Sequence, residues 1–254
     1  MTEIVVVTAS AGTLPGLTQA LTAIPIVVEE HPLMSFAAPA DWATVDQALD
    51  RADSYGAVAF TSPRAAEAVA RRLEVRGLSL QRGLSAPAVW AGGSATRAAL
   101  GRVFGAVRTP DETAIGRWGA AGALARAMTD AGVVSPVLFF CGEIRRDELP
   151  ERLRSNGLEV DEVVCYRAVL AGESAARTAA ARGTVLVVSS PRVAALLAGA
   201  CPPGTRPRLV AVGPTTASSA RQAGWSPAAV AAQPSVEAVA NAVRSVVERR
   251  SVDD

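Results

Sequence analysis

The tripeptide Ser-Pro-Arg occurs twice in the chain, at Ser62 and at Ser190, each time between an apolar run and a helix-like run. Serine followed by proline is a favoured helix start, because serine caps the helix and proline fits its first turn. Capping does not explain Arg64 and Arg192, since a cation near a helix N-terminus is unfavourable by about 0.3–1 kcal/mol. Both arginines are explained if an anion binds over the turn.

Three further turns have the same character. The segments Gly93–Thr96 and Gly213–Thr216 each follow an apolar run and open a helical pattern, and Cys141–Arg146 adds two guanidinium groups after another apolar run. Helix N-termini at the carboxyl ends of parallel strands are the usual anion site of open α/β sheets. Each turn taken alone is more simply interpreted as structural. Together they predict a cleft for a large polyanion, a polycarboxylate rather than a nucleotide.

Composition excludes several other chemistries. The 254 residues include 25 basic and 24 acidic side chains, so the chain lacks the basic surface that nucleic-acid binding requires. Every basic residue is arginine, which excludes a Schiff-base lysine and the lysine of a phosphate-binding loop. The single histidine, His31, precedes a proline and is interpreted as a surface or linker residue. We expect neither a metal nor a cofactor.

The cysteines and the N-terminal residues bear on location. Three cysteines without a Cys-x-x-Cys spacing predict no disulfide framework and a reducing compartment. The N-terminal residues lack the basic region of a signal peptide, and no run approaches the roughly 18 apolar residues of a membrane span. We therefore expect a cytoplasmic protein that contacts no membrane.

Short β-branched runs alternate with amphipathic, alanine-rich runs along the chain. This alternation predicts an α/β fold with mostly parallel sheets covered by helices on both faces. The predicted strands cover residues 4–8, 24–29, 57–61, 87–92, 137–141, 158–166, 184–189 and 208–213. The predicted helices cover residues 64–73, 95–104, 113–128, 147–155, 192–200, 216–223 and 235–249.

The sequence also repeats itself in the order A-B-A′-B′. Each B segment contains a Ser-Pro-Arg turn and a Gly-x-x-Thr turn, and each A segment is a strand-helix-strand pattern. Two similar α/β domains are therefore expected, but the repeat alone leaves open which A segment joins which B segment. The paired positions are Ser62 and Ser190, 128 residues apart, Gly93 and Gly213, 120 apart, and Leu21 and Leu153, 132 apart.

Segments spread over almost the whole chain resemble the uroporphyrinogen-III synthase family. The resemblance is carried by AFTSPRAAEA at 59–68, by PVLFFCGEIRRDELPERLRSNGLEVDEVVCYRAV at 136–169 and by AVGPTTASSARQAG at 211–224, and it includes Tyr166. One departure is Thr8-Ala9, where the family often has Thr-Arg after the first strand. That departure removes a basic contact from the first loop.

The resemblance implies two flavodoxin-like α/β domains with parallel sheets, interleaved and joined by a two-strand hinge. Domain 1 would comprise residues 1–33 and 168–254, and domain 2 residues 34–167. The chain would then cross between the domains near HPLMSFAAP and near CYRAVLAGE. A simple tandem duplication would instead divide the chain near residue 130.

The resemblance also implies a reaction. A lyase of this family cyclises hydroxymethylbilane, a linear tetrapyrrole with eight carboxylates, to uroporphyrinogen III, with inversion of ring D and loss of water. The implied protein is a cofactor-free monomer of tetrapyrrole biosynthesis that meets hydroxymethylbilane synthase only in a transient contact. The alternative is a non-catalytic tetrapyrrole- or anion-binding module of the same fold.

The implied roles fall on residues of the turns described above. By resemblance, Tyr166 assists departure of the substrate hydroxyl as a hydrogen-bond donor. The substrate carboxylates would be bound by Thr61, Ser62, Arg64, Ser94, Thr96, Gly142, Arg146, Ser190, Pro191, Gly213, Thr215 and Thr216.

Overall fold

The polypeptide forms two compact units. A computed structural model describes residues 2–78, 87–101 and 103–253. Unit 1 comprises Met1–Ser35 with Val169–Asp254, and unit 2 comprises Phe36–Ala168. These divisions fall two residues beyond the first expected boundary and one residue beyond the second. Both lie inside β-strands, β3 and β8, so no loop or change of composition marks them.

Strands and helices alternate along nearly the whole chain. All eight predicted strands form, and the α/β prediction is confirmed. The strands are β1 (Ile4–Val7), β2 (Val27–Glu30), β3 (Met34–Ala37), β4 (Ala57–Phe60), β5 (Ala88–Ala91), β6 (Val107–Arg108), β7 (Val137–Gly142), β8 (Val160–Leu170), β9 (Val185–Val188), β10 (Arg208–Ala211) and β11 (Ala229–Val230).

Helices cover both faces of the sheets. They are α1 (Leu17–Leu21), α2 (Ala43–Asp50), α3 (Pro63–Val75), α4 (Ser94–Gly101), α5 (Glu112–Asp130), α6 (Glu148–Ser155), α7 (Glu173–Arg182), α8 (Pro191–Ala200), α9 (Pro214–Gln222) and α10 (Val236–Asp253). The predicted continuous helix at 113–128 is interrupted, because Gly119 takes a left-handed φ of 71° inside α5. Among the described residues, no helix combines the length and the apolar character needed to cross a bilayer.

The two sheets share one topology. In unit 1 the strands follow the order β2-β1-β9-β10-β11, with all neighbours parallel. This is the flavodoxin-like order in which the second strand lies outside the first. In unit 2 the strand order is β8-β7-β4-β5-β6, with β3 added beside β8. If the strands of unit 2 are numbered from β7 onward, β8 is the second strand and the order is the same as in unit 1. Unit 2 is thus a circular permutation of unit 1.

Strand register shows which repeats belong together. Val5 in β1 pairs with Val185 in β9, and Val137 in β7 pairs with Ala57 in β4. Val5 and Val137 are 132 residues apart, and Ala57 and Val185 are 128 apart, so the sheets repeat the offsets of the sequence. Segment A therefore lies in one sheet with B′, and A′ lies in the other with B.

The core of unit 2 has two halves, one on each face of its sheet. Alternate residues of a strand point to opposite faces, so Val58 and Phe60 pack beneath α3 while Ala57 and Ala59 pack with Phe139 on the other face. All five are buried. Burial on both faces explains why these strands read as continuous apolar runs rather than as alternating ones.

The topology predicts that unit 2 folds alone. A fragment of residues 34–170 contains every strand of its sheet in full and the helices on both faces, so we expect cooperative urea unfolding with a free energy of about 5 kcal/mol or more. A fragment of residues 1–130 lacks β9 and β7, which complete the sheets beside β1 and β4, so it should show no cooperative transition as a monomer. Circular dichroism during urea titration measures both; the reverse result would support a tandem division near residue 130.

Candidate active site around Tyr166

A register shift in β8 determines where Tyr166 points. Cys141 of β7 pairs with Val164, but the next residue, Gly142, pairs with Tyr166, so Cys165 is an extra residue in β8. Side chains alternate along a regular strand, and such a bulge reverses the alternation. Cys165 and Tyr166 consequently both pack on the face of the sheet that α3 covers.

The tyrosine ring rests directly on the backbone of Gly142. A Cβ atom at position 142 would lie 2.6 Å from Cζ and 2.8 Å from Oη of Tyr166, closer than any side chain can approach. The backbone N–H of Glu143 donates to the carbonyl oxygen of Tyr166 at 3.0 Å, which holds the end of β7 against β8. Glycine at 142 is therefore required for the observed position of the phenol.

Ser62 links the phenol to the start of α3. The Tyr166 hydroxyl lies 3.2 Å from Ser62 Oγ and donates to it. The same serine oxygen accepts the backbone N–H of Arg64 at 3.1 Å, so the predicted helix cap at Ser62 is confirmed. The phenol is thereby tied to the positive end of a helix, a place where an oxygen that gains negative charge is stabilised.

Two more side chains complete the surroundings of the phenol. The ring of Phe36 meets the ring of Tyr166 edge-on, with centroids 5.8 Å apart. The Arg64 guanidinium lies 4.6 Å from the centroid of the same Phe36 ring and pairs with Glu67 at 3.5 Å. Arg64 therefore stays close to Tyr166 through a cation–π contact, a role that the sequence did not indicate.

Burial dominates the acidity of the phenol. It raises the pKa of Tyr166 above the usual value of about 10. Ser62, whose hydroxyl can donate to a phenolate oxygen, and the more distant charge of Arg64 lower the pKa, but by less than burial raises it. The side chain is therefore a neutral phenol at physiological pH, able to donate one hydrogen bond.

The neighbouring cysteines are inert thiols. Cys141 and Cys165 are buried and free. Burial raises the pKa of Cys141 to about 11 and raises that of Cys165 further. The Cys165 thiol lies 3.4 Å from the carbonyl oxygen of Cys141 and donates to it. Because the thiolate is the nucleophilic form, neither cysteine is a candidate nucleophile.

Other predicted residues lie along the same edge of the sheet in unit 2. The carboxyl ends of β7, β4 and β5 are neighbours, so Gly142, Thr61 and Ser94 follow one another along that edge. Thr61 and Ser94 are exposed, whereas Thr96 is buried. Of the two arginines after β7, Arg146 is exposed and Arg145 donates to Glu162 at 2.6 Å.

The corresponding turns of unit 1 are built differently. Ser190 has nearly the same backbone as Ser62, but its side chain makes no capping hydrogen bond, so the expected side-chain cap there is wrong. Pro191 in the first turn and the bond from the Ala194 N–H to the Ser190 carbonyl, 3.0 Å long, support the start of α8 instead. Ser190 is also buried.

The second predicted turn of unit 1 opens α9. Gly213 precedes the helix in an extended conformation that any residue adopts, with φ of −172°. Thr215 is exposed and Thr216 is buried. The helix is tied to α8 by Ser219, whose hydroxyl donates to the carbonyl of Pro191 at 2.9 Å.

The loop after β1 brings no cation and no phenol. Thr8 is buried and its hydroxyl donates to the carbonyl of Val187 at 2.9 Å. A cavity of about 370 Å³ beside Ala9 has no basic residue in its lining. By the 132-residue offset, Met34 takes the place in unit 1 that Tyr166 has in unit 2. The two units are therefore alike in fold and unlike in chemistry.

Comparisons with known proteins agree with this architecture. The uroporphyrinogen III synthase of the extreme thermophile Thermus thermophilus, as a selenomethionine mutant, matches with a TM-score of 0.64 at 13% identity over 98% of this chain and 100% of that chain. The synthetase of Helicobacter pylori 26695 matches with a TM-score of 0.64 at 17% identity over 97% and 100%. No curated protein sequence gives a significant match.

At such low identity these structures establish the fold alone. The sequence carries the stronger result, because the family model described as uroporphyrinogen-III synthase HemD matches residues 16–241, most of the chain. The match includes Ser62, Gly142 and Tyr166. The chain belongs to the uroporphyrinogen-III synthase family.

Proposed function

We propose that this protein is a lyase that converts hydroxymethylbilane to uroporphyrinogen III. Family membership supports the reaction. The observation that carries the chemical assignment is the buried phenol of Tyr166, which Gly142 and Ser62 hold at the carboxyl edge of the sheet. In this proposal the enzyme is a cytoplasmic monomer, and hydroxymethylbilane synthase supplies its substrate through a transient contact.

The first step requires a leaving hydroxyl to be stabilised. The C–O bond of the hydroxymethyl arm breaks, the electrons of the adjacent pyrrole nitrogen form the new double bond, and that ring loses its N–H proton. The departing oxygen takes up a proton, so the sum is loss of one water and formation of an azafulvene. Tyr166 donates its hydrogen bond to the departing oxygen as negative charge develops there.

The high pKa of the phenol suits this role. A neutral phenol stabilises a departing oxygen as a donor and need not be ionised beforehand. In the absence of substrate the donor is directed at Ser62, whose other partner is the N–H of Arg64. A small rotation about the phenolic C–O bond turns the tyrosine's own hydroxyl hydrogen away from the serine oxygen and toward a substrate oxygen. The ring itself does not move.

The second demand is steering. Hydroxymethylbilane closes unaided to the uninverted isomer, so the protein must direct ring D to attack through its substituted carbon and form a spirocyclic intermediate. Holding the substrate carboxylates in fixed places accomplishes this by positioning rather than by a nucleophile. The proposed carboxylate anchors are Thr61, Ser62, Arg64, Ser94, Thr96, Gly142, Arg146, Ser190, Pro191, Gly213, Thr215 and Thr216.

A coupled assay tests the activity itself. Hydroxymethylbilane is supplied by its synthase, and the products are oxidised and separated into type I and type III isomers. We expect type III to predominate and its rate of formation to scale with the concentration of this protein. Formation of type I alone, at the rate seen without the protein, would leave only the alternative of a binding module.

Replacing Tyr166 by Phe tests the donor. Loss of a transition-state hydrogen bond should lower type III formation by about a hundredfold, while binding of uroporphyrinogen III changes much less. Tyr55→Phe is the matched control, because the Tyr55 hydroxyl also makes one side-chain hydrogen bond, to Asp161 at 2.7 Å, away from the site. Equal rates for Tyr166→Phe and the control would remove Tyr166 from the chemistry.

Replacing Gly142 by Ala tests the contact that positions the phenol. The new methyl group must push the ring away, so type III formation should fall about as far as in Tyr166→Phe, and the double variant should fall little further. Gly172→Ala is the control, since a Cβ there meets nothing within 4 Å. Circular dichroism establishes that each variant is folded; a folded, fully active Gly142→Ala would contradict the assignment.

A further inference from the structure

A small cavity lies beside Tyr166, entirely within unit 2. Its volume is about 200 Å³, and Phe36, Trp42, Arg71 and Ala68 are among the residues that line it together with Tyr166. The cavity lies between the end of β3, the start of α2 and the outer face of α3. The two strands that border it, β3 at its end and β8 at Cys165 and Tyr166, are hydrogen-bonded neighbours in the sheet.

The size of the cavity limits its occupant. Sites for drug-sized ligands have volumes of about 300–1,000 Å³. At about 200 Å³ this cavity is below that range, so it cannot enclose a tetrapyrrole. One five-membered ring with its substituents is the largest part of the substrate that it accommodates.

The lining suits a flat ring with carboxylates. Phe36 and Trp42 offer aromatic surface for stacking or edge contact. Trp42 is kept in place by Arg72, which lies 5.1 Å from its ring centroid and donates to Asp46 at 2.7 Å. The ring of Phe36 is supported in the same way by Arg64.

The charges of the lining residues also favour a ligand with carboxylates. Arg64 and Arg71 both line the cavity from α3, two turns or about 10 Å apart. Glu67 lies between them and pairs with Arg64, so the cavity keeps a net positive charge. Arg71 forms no ion pair with any acidic residue in the described part of the sequence. A guanidinium is the side chain best suited to bind a carboxylate with two hydrogen bonds.

We propose that this cavity binds one terminal pyrrole of the substrate, the ring that carries the hydroxymethyl group together with one acetate and one propionate. This inference rests on the proposed function, since the leaving hydroxyl belongs to that ring and Tyr166 is among the residues that line the cavity. The ring lies against Phe36 and Trp42, and a carboxylate pairs with Arg71. Anchoring this end leaves ring D, at the other end, free to invert.

Calorimetric titration tests the site without turnover. The probe is a 2-methylpyrrole that carries one acetate and one propionate, titrated into the whole protein. We expect Ala68→Leu, which fills the cavity, and Arg71→Met, which removes its charge, each to weaken binding by about tenfold or more. Ala181→Leu, on the exposed side of α7, is the control and should bind the probe as the wild type does.

The same variants are then assayed with hydroxymethylbilane. Ala68→Leu should raise KM and increase the fraction of type I product, whereas Ala181→Leu should do neither. Absence of probe binding to the wild-type protein, or unchanged binding by folded Ala68→Leu, overturns the proposal even if type III product is made. If the probe binds as expected but no type III product forms, the proposed reaction fails and the pyrrole site stands.

Discussion

The ring of Tyr166 rests on the backbone of Gly142, and this contact needs two features at once. One extra residue in β8 turns the tyrosine onto the face that α3 covers, and the lack of a side chain at 142 leaves room for the ring. Without the bulge, the phenol would point into the apolar core beneath α5 and α6. A hydroxyl donor there would be away from the edge of the sheet. The cap at Ser62 and the cation–π pair at Phe36 then act on a ring whose place is already set.

The electrostatics of the site follow from the same burial. Desolvation disfavours the phenolate and the thiolates alike, so three titratable groups close together all stay protonated. Only Tyr166 among them directs its proton toward the edge of the sheet where helices start. A low-dielectric environment also strengthens any hydrogen bond made to a developing charge. The site therefore suits a reaction that needs one fixed donor and many weak anchors.

Sequence patterns predicted the parts of this fold that depend on local chemistry. Apolar runs of β-branched residues marked eight of the nine described strands with four or more residues, and Ser-Pro marked the start of α3. The ninth, β3, contains no β-branched residue and was not marked. The two-residue strands β6 and β11 are too short for such a pattern. The bulge at Cys165 has no local mark either, because residues 158–166 read as one uninterrupted strand. Its position depends on pairing with β7, which is a tertiary contact.

The site was predictable to a similar degree and for similar reasons. Tyr166, Ser62 and Gly142 were found from motifs, but their contact joins residues as much as 104 positions apart. Phe36 and Trp42 carried no recognisable pattern, since their importance comes from the cavity that they border. The missing side-chain cap at Ser190 shows that a motif does not determine its hydrogen bonds. The same tripeptide, with nearly the same backbone, makes a different set of hydrogen bonds at Ser190 than at Ser62.

The matched register of the two sheets has a consequence for the origin of the protein. Segment A completes its sheet with B′, and A′ completes its sheet with B, so each half of the sequence supplies part of both units. Two separate copies of a half-length polypeptide, each with one A and one B segment, could pair their strands in the same way only by exchanging segments. The protein is thus, in its connectivity, a domain-swapped dimer joined into a single polypeptide. In a single polypeptide the two units need not be identical, and Tyr166 of unit 2 indeed has Met34 at the equivalent position of unit 1.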